Sequence, residues 1–327
     1  MRVAVITQLT FPIRQPYPGG VEMNTHLLVK TFQSLGHDVV LYAAASSDTS
    51  FNVVEVTAPL RYMPGGVATC VMGTTEQNTA ARAHRDAMYE KVMELIQDGK
   101  FVIIHSNSVQ AIPLRRCAEN GVPTVSVLHC MPLRPQLNAY TAAVRDTAIV
   151  KQIRFIGVSY AAVDLWSGVL RGAGVVLSII DLESFVYKHK IRSGVKFAFW
   201  AGRINPIYWQ AEIEHLLGPD VVDLGHLDSR QLSTWYVKAS VLIISSHADE
   251  TFGFIVVEAL VGATPVAAFR TGVVPTLIEG TCGRVVEKRD AEHLALALQE
   301  CLSLSQNLVA AYDNLLETLL EDREMSL

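Results

Sequence analysis

The fold of this chain is decided by one stretch, which reads HADETFGFIVVEALVGATPVAA and spans residues 247–268. Its central Phe-Gly-Phe predicts a loop that turns into a helix, because glycine lets the chain bend just before an apolar run. Gly262 then ends the helix, and the apolar run Thr264–Ala268 predicts a buried strand. Glu250 and Glu258 stand on either side of the predicted helix start, separated by seven residues.

These two glutamates flank a helix N-terminus, where backbone N–H groups and the helix dipole attract anions such as phosphate. Their carboxylates can accept hydrogen bonds from sugar and ribose hydroxyls. If the helix begins near Phe252, Glu258 lies roughly 9 Å along its axis, at about 1.5 Å per residue. That length is close to the span of a diphosphate, so the segment fits a sugar nucleotide. Two glutamates on a helix are more often solvated surface residues, and that interpretation also stays open.

Composition narrows the class of protein. The chain has 327 residues, of which 50% are hydrophobic and 18% charged, enough for two domains with sizeable cores. A net charge of −5 provides no general attraction for nucleic acid. The five cysteines include no C-x-x-C pair, and no signal peptide or membrane-spanning run is recognisable. We therefore expect a reduced, cytoplasmic protein without a metal site, while contact with a membrane surface stays open.

Strands alternate with helices along the chain, which predicts parallel sheets with helices on both faces. The predicted strands are Val3–Thr7, Val39–Tyr42, Phe101–His105, Thr124–His129, Ile156–Ser159, Phe197–Ala201, Ser240–Ser245 and Thr264–Ala268. The predicted helices are Val21–Leu35, Thr75–Gln97, Ala111–Asn120, Phe254–Val261, Ala291–Leu302 and Asn307–Leu319. A change in composition near 179–194 predicts a linker. We therefore predict a first domain over 1–178, a second over 195–306 and a C-terminal helix over 307–327.

Further candidate residues lie at predicted loop positions. Gly19 and Gly20 precede the first predicted helix, where glycines let the backbone approach a ligand, although an ordinary turn explains them equally well. His105 and His129 end two predicted strands, at the edge where open parallel sheets bind ligands. A lone histidine is more often structural, so both interpretations stay open. The glycine loop lacks the G-x-G-x-x-G spacing of dinucleotide-binding domains.

Together these segments resemble the retaining glycosyltransferases of family 4, which have the GT-B fold. In that fold, two Rossmann-like domains face each other across a cleft. The resemblance rests on the segment 250–268, the Gly-Gly pair at 19–20, His129-x-x-Pro132 and Gly202-Arg203-x-x-Pro206. It extends along most of the chain and points to the group that includes glycogen synthase and the phosphatidylinositol mannosyltransferases.

The resemblance implies a role for each site residue. Glu250, His129 and Arg203 would be the catalytic residues: Glu250 would orient the donor hexose, His129 would lie beside it, and Arg203 would neutralise its phosphates. Glu258 would bind the ribose. The implied donor-binding residues are Gly19, Gly20, Gly202, Thr251, Phe252, Gly253, Phe254 and Glu258. The donor would be a UDP-, GDP- or ADP-sugar, with no metal or other cofactor. The acceptor (small molecule, lipid or glycan) and the oligomeric state are not specified.

Departures from the family pattern keep two alternatives open. Tyr208 stands where the family has a phosphate-binding lysine, and 210–223 is too short for the strand and helix found there, so the second domain is apparently shortened. Leu177–Asp181 and Gly272–Thr276 also differ from the pattern. One alternative is a non-catalytic protein of this fold that binds a nucleotide sugar or a partner. The other is a sugar-nucleotide epimerase.

Overall fold

A seven-stranded parallel sheet organises the first part of the chain. The computed structural model describes residues 1–15, 17–57, 75–108, 110–132, 140–141, 152–170, 172–178, 197–199, 209–225, 227–278 and 280–304. The strands of this sheet are β1 (Arg2–Ile6), β2 (Asp38–Ala44), β3 (Asn52–Thr57), β4 (Ile103–Ser106), β5 (Thr124–Leu128), β6 (Ile153–Gly157) and β7 (Gly174–Val175). They lie in the order β3-β2-β1-β4-β5-β6-β7, with every neighbouring pair parallel.

Helices cover both faces of this sheet, as the alternation of elements predicted. They are α1 (Gly20–Ser34), α2 (Thr75–Asp98), α3 (Ala111–Asn120) and α4 (Tyr160–Trp166). Ala4 and Ile6 of β1 belong to the core cluster that includes residues of α2, α3 and α4. Val3 and Val5 pack in a second cluster with Val29 of α1. Because successive strand residues point to opposite faces, burial on both sides makes β1 apolar along its length.

The strand order reverses between β1 and β4, since β2 and β3 lie on one side of β1 and β4 to β7 on the other. In open α/β sheets, ligands bind beyond the carboxyl ends of the strands at such a reversal. The loop that follows β1 and the residues that follow β4 therefore occupy the position where a ligand site is expected.

Four predicted strands, now β1, β5, β6 and the strand at Leu242–Ile244, end one or two residues earlier in the structure than in the sequence-based assignment, and β6 shows the reason. The prediction was Ile156–Ser159, whereas β6 ends at Gly157. Ser159 instead caps α4, because its hydroxyl oxygen accepts a hydrogen bond from the N–H of Ala162 at 3.0 Å. Serine satisfies an otherwise unpaired N–H at a helix start, so it marks the beginning of α4 rather than the end of the strand.

The later part of the chain forms two smaller parallel sheets. β8 (Phe197–Phe199) pairs with β9 (Val221–Asp223), and β10 (Leu242–Ile244), β11 (Val266–Phe269) and β12 (Gly283–Val286) form a three-stranded sheet. The helices are α5 (Ser229–Lys238), α6 (Phe254–Val261), α7 (Val274–Leu277) and α8 (291–304). Between β8 and β9, the described residues form two short helical turns, Trp209–Ile213 and Glu214–Leu216.

The chain divides into two compact units. Residues 1–179 and 194–228 form one, and residues 180–193 and 229–327 form the other. The predicted boundaries differ, because they assign 195–228, and with it β8 and β9, to the second domain. The predicted linker at 179–194 and C-terminal helix at 307–327 lie outside the described residues, and the domain boundaries stay a prediction. Among the helices in the described part of the chain, none has the length and apolar composition needed to cross a membrane.

Candidate functional site

The loop between β10 and α6 carries most of the predicted donor-binding residues. The carboxylate of Glu250 turns back onto the helix start, where Oε1 accepts hydrogen bonds from the N–H of Gly253 at 3.0 Å and of Phe252 at 3.4 Å. Gly253 caps the helix with φ at +81°, and a Cβ there would lie 2.6 Å from Cδ1 of Leu277. Glycine is therefore required at this position both by the left-handed backbone and by packing. The side chain of Glu250 and the conformation of Gly253 together define the N-terminus of α6.

The aromatic side chains of this loop have a structural role. Phe252 and Phe254 lie with their ring centroids 4.5 Å apart and their planes tilted by 51°. Thr251 and Phe252 are buried, and Phe254 is half-buried. Aromatic pairs in this geometry stabilise a turn beyond the area that they bury. Binding of the donor by the backbone N–H groups of Thr251, Phe252 and Phe254 stays a prediction.

Two neighbouring loops hold the backbone on which Glu250 is carried. Oδ1 of Asp249 accepts hydrogen bonds from the N–H of Gly272 at 3.1 Å and from Nζ of Lys288 at 2.7 Å. The bond from Lys288 lowers the pKa of the Asp249 carboxyl. The N–H of Val273 donates to the carbonyl oxygen of Glu250 at 2.8 Å. The loops that follow β10, β11 and β12 are thus joined at the carboxyl edge of their sheet, where ligands bind in parallel sheets.

Asp249 and Lys288 were missed by the sequence analysis. Asp249 lies inside the stretch that decides the fold, but its partner follows β12, a strand that the pattern did not predict. An acidic residue beside Glu250 was the only available signal, and nothing in the sequence connects it with a lysine 39 positions later.

Glu258 is buried in the second turn of α6, only 7% exposed. It lies four residues beyond Phe254, about 6 Å along the axis, so it is closer to the helix start than the predicted 9 Å. Burial raises the pKa of its carboxyl to about 7, and the neighbouring hydroxyl of Tyr236 in α5 opposes that shift in part. At neutral pH this carboxyl is therefore divided between its protonated and ionised forms.

The predicted histidine of the first unit is held by a chain of hydrogen bonds. Nε2 of His129, directly after β5, lies 3.0 Å from Oδ1 of Asn107, directly after β4. Nδ2 of Asn107 donates to the hydroxyl of Thr25 at 2.9 Å, and that hydroxyl donates to the carbonyl oxygen of Val21 at 2.7 Å. Burial, together with the neighbouring His105, lowers the pKa of His129 to about 3, so its imidazole is neutral at physiological pH.

This chain of bonds connects His129 with the glycine loop. Gly19 is the N-cap of α1, Gly20 is its first residue, and Thr25 lies in its second turn. A Cβ on Gly19 would lie 3.1 Å from Oε2 of Glu22, whose side chain is buried and whose pKa is raised by that burial. The structure therefore brings Gly19, Gly20 and His129 to the reversal between β1 and β4.

Asn107 was the residue that sequence reasoning overlooked at this edge. It stands within the run His105–Ser108, where attention fell on the histidine. His105 instead lies on β4 against Phe32, and burial lowers its pKa to about 4. The position of Asn107 immediately after a strand was a usable signal, because that edge of a parallel sheet carries ligand-binding residues.

Two predicted site residues, Gly202 and Arg203, lie outside the described residues, as does Tyr208. Glu250, Thr251, Phe252, Gly253, Phe254 and Glu258 form one continuous site segment in the second unit. Among the residues that the structure describes, no three His, Cys, Asp or Glu side chains are grouped so that they could hold a metal ion.

With this geometry established, comparison with known proteins defines the class: the chain belongs to the family 4 glycosyltransferases. Residues 18–168 match the family described as "Glycosyltransferase Family 4", and residues 186–304 match "Glycosyl transferases group 1". A D-inositol 3-phosphate glycosyltransferase of Corynebacterium kroppenstedtii is 33% identical over 99 residues, which are 30% of this chain and 22% of that protein. The matches to two curated relatives of this name span only 22% and 15% of those proteins.

Solved structures share the fold along nearly the whole chain. Sucrose-phosphate synthase from Thermosynechococcus elongatus has a TM-score of 0.64 and 16% identity, covering 98% of this chain and 99% of that one. HepE from Anabaena, in complex with UDP-glucose, has a TM-score of 0.64 and 14% identity, covering all of both chains. These similarities, together with the seven-stranded parallel sheet, confirm the predicted GT-B fold class.

Proposed function

We propose that this chain transfers a sugar from a nucleotide diphosphate donor to an acceptor hydroxyl, with retention of the anomeric configuration and without a metal ion. Family membership supports the transferase class. The observation that carries the proposal is the site segment 250–258, which combines a helix N-terminus, a carboxylate at the helix start and a second carboxylate one turn into the helix. Backbone N–H groups bind phosphate, and carboxylates bind sugar hydroxyls.

The donor and Glu250 compete for the same backbone donors in this proposal. A diphosphate that takes the N–H groups of Phe252 and Gly253 displaces the carboxylate that now accepts from them. The displaced Glu250 side chain then accepts hydrogen bonds from the donor hexose. Glu258 binds the ribose, which requires its buried carboxyl to accept a hydrogen bond from a ribose hydroxyl.

In the reaction itself, the bond between the anomeric carbon and the diphosphate oxygen breaks while a new bond forms to the acceptor oxygen. The acceptor proton passes to the departing diphosphate, so no protein base is needed. Negative charge develops on the diphosphate, and electrostatic stabilisation of such charge is usually the largest catalytic term. Arg203, Gly202 and the N–H groups at the start of α6 supply it, with His129, Gly19 and Gly20 beside the reacting sugar.

The first experiment is a donor screen by thermal shift with UDP, GDP, ADP and their sugar conjugates, in the presence of EDTA. UDP-glucose heads the series because the similar HepE structure contains it. A ligand at 100 times its dissociation constant stabilises the folded protein by about 2.7 kcal/mol. The selected donor is then incubated with acceptor hydroxyl compounds, and the anomeric configuration of the product is read by NMR. An inverted product or a strict requirement for metal would contradict the proposal.

Variants test the assigned residues. We expect Glu250→Gln and Arg203→Ala to reduce turnover strongly, because each removes a charge that meets the donor. Glu287→Gln is the matched control, since Glu287 is an exposed carboxylate after β12 that pairs with Arg270. Wild-type turnover in Glu250→Gln would argue against the assigned site. Donor binding without product favours the non-catalytic alternative, and conversion of the donor sugar without any acceptor favours the epimerase.

A further inference from the structure

Asn107 is buried between the two residues that it connects, Thr25 and His129. We propose that Asn107 is a positioning residue, which together with Thr25 holds His129 as the tautomer that is protonated on Nε2. The consequence for sugar transfer rests on the proposed function, whereas the tautomer itself can be measured on the resting protein.

The direction of each hydrogen bond follows from the Val21 carbonyl, which is the last acceptor in this series of hydrogen bonds. The carbonyl oxygen of Val21 can only accept, so the single proton of the Thr25 hydroxyl points to it across 2.7 Å. That hydroxyl must then accept from Asn107, which places the amide nitrogen Nδ2 toward Thr25 at 2.9 Å. The amide oxygen Oδ1 therefore faces His129 at 3.0 Å and can only accept, so Nε2 of His129 carries the proton.

Burial makes the opposite arrangement costly. Asn107 and Thr25 are fully shielded from solvent. A rotated Asn107 amide would require Thr25 to turn its proton away from Val21, leaving that short bond unmade. Unsatisfied polar groups in the interior lose their hydration without compensation. The network thus selects one amide orientation and, through it, one imidazole tautomer.

The tautomer decides what His129 can offer to a substrate. With the proton on Nε2, Nδ1 has a lone pair and can only accept a hydrogen bond. The neutral ring is retained at physiological pH, because burial and His105 keep the pKa of His129 low. In the proposed reaction, the hydrogen bond to Asn107 holds the His129 ring in one orientation beside the donor sugar.

The test is the ¹⁵N NMR spectrum of the histidine side chains in the 327-residue protein without donor, in which protonated and unprotonated ring nitrogens are well separated. We expect wild-type His129 to be protonated on Nε2 alone. Asn107→Leu and the isosteric Thr25→Val should both give a mixture of tautomers, whereas Asn107→Asp, whose carboxylate can only accept, should keep Nε2 of His129 protonated, with the Thr25 proton turned from Val21 to the carboxylate. Two independent variants keep the test valid if one of them does not fold.

Thr31→Val is the matched control for Thr25→Val. Thr31 lies on the same helix and makes the same kind of bond, to the carbonyl oxygen of Leu27 at 2.8 Å, but it is exposed. It should leave the His129 signal unchanged. A wild-type ring protonated on Nδ1, or a wild-type tautomer retained in both Asn107→Leu and Thr25→Val, would overturn the proposal.

Kinetics then separates positioning from a merely structural role. Loss of one oriented hydrogen bond should lower kcat about tenfold in Asn107→Leu, and Asn107→Asp should recover most of it. Equal kcat values for the two variants, despite different tautomers, would refute the catalytic consequence. If wild-type protein forms no product with any donor, the proposed function fails, while the NMR result still decides the assignment of Asn107.

Discussion

The substitution Gly272→Ala should destabilise the second unit far more than an ordinary glycine replacement. Gly272 has φ at +49°, and a Cβ at this position would overlap the carbonyl oxygen of Glu250. The same backbone accepts the Val273 N–H and lies beside Asp249, which accepts the Gly272 N–H. A methyl group here therefore meets backbone rather than a side chain that could rotate away.

The expected loss in the free energy of unfolding has two contributions. The left-handed conformation costs an alanine about 1–2 kcal/mol. If the overlap remains, the resulting strain costs about 1–3 kcal/mol. If the Glu250 loop moves to relieve it, two hydrogen bonds worth about 1 kcal/mol each are broken. Either route has a similar cost, so we expect the free energy of unfolding to fall by about 2–5 kcal/mol.

Gly36→Ala is the matched control, because Gly36 has φ at +79° but no atom within 4 Å of its added Cβ. It should cost only the conformational part, about 1–2 kcal/mol. Since the two glycines lie in different units, native-state hydrogen exchange of β11 and β2 is the appropriate assay, as each strand reports the opening of its own unit. Equal losses of protection in the two variants would refute the steric argument.

Three further predictions concern charged groups. The pKa of Glu258 is higher in the folded protein than in the unfolded chain, so the free energy of unfolding falls as the pH rises from about 4.5 to 7. In urea unfolding, Glu258→Gln should lessen that fall and be more stable than wild type at pH 8 by up to about 3 kcal/mol. An unchanged dependence of the free energy of unfolding on pH would contradict this prediction. The hydrogen bond from His26 lowers the pKa of Asp48 to about 2, so the ionised Asp48 contributes to stability above about pH 3.8, and this contribution is lost as the pH falls toward 2. His26→Ala should return the pKa of Asp48 toward 3.8 in an NMR titration. A titration curve that does not move would refute the assigned cause. Lys288→Met should raise the pKa of Asp249 but lower the free energy of unfolding by less than about 1 kcal/mol, because this ion pair is partly exposed. A larger loss would show that the pair is more shielded from solvent than its exposure indicates.

Local sequence patterns predicted much of the fold. α3 and α6 have the predicted bounds, and β1 is displaced from its prediction by one residue. These elements carry their own signals: an amphipathic or apolar run, which in the two helices is followed by glycine. Among the described elements, the pattern missed β3, β7, β9, β12, α4, α5 and α7. β12, for example, is short and owes its formation to pairing with β11. Such a strand has little local pattern to recognise.

The candidate site, like the fold, was predicted from the sequence only in part. Family resemblance and the helix start located Glu250, Gly253 and Glu258, since all three lie within one short segment of the chain. The sequence did not predict that the Glu250 carboxylate caps its own helix, nor that Glu258 is buried against Tyr236. Both features depend on side-chain direction and on packing between helices, which sequence spacing does not specify.

By itself, the sequence determined the alternation of strands and helices, the family and the segment that carries the carboxylates, because these depend on neighbours along the chain. Only the tertiary structure decided which distant residues meet. Thr25 and Asn107 are 82 positions apart, and Asp249 and Lys288 are 39 positions apart, yet each pair shares a hydrogen bond. Such contacts arise because a parallel sheet brings the carboxyl ends of its strands to one edge. The strand order that sets those neighbours is a property of the folded sheet.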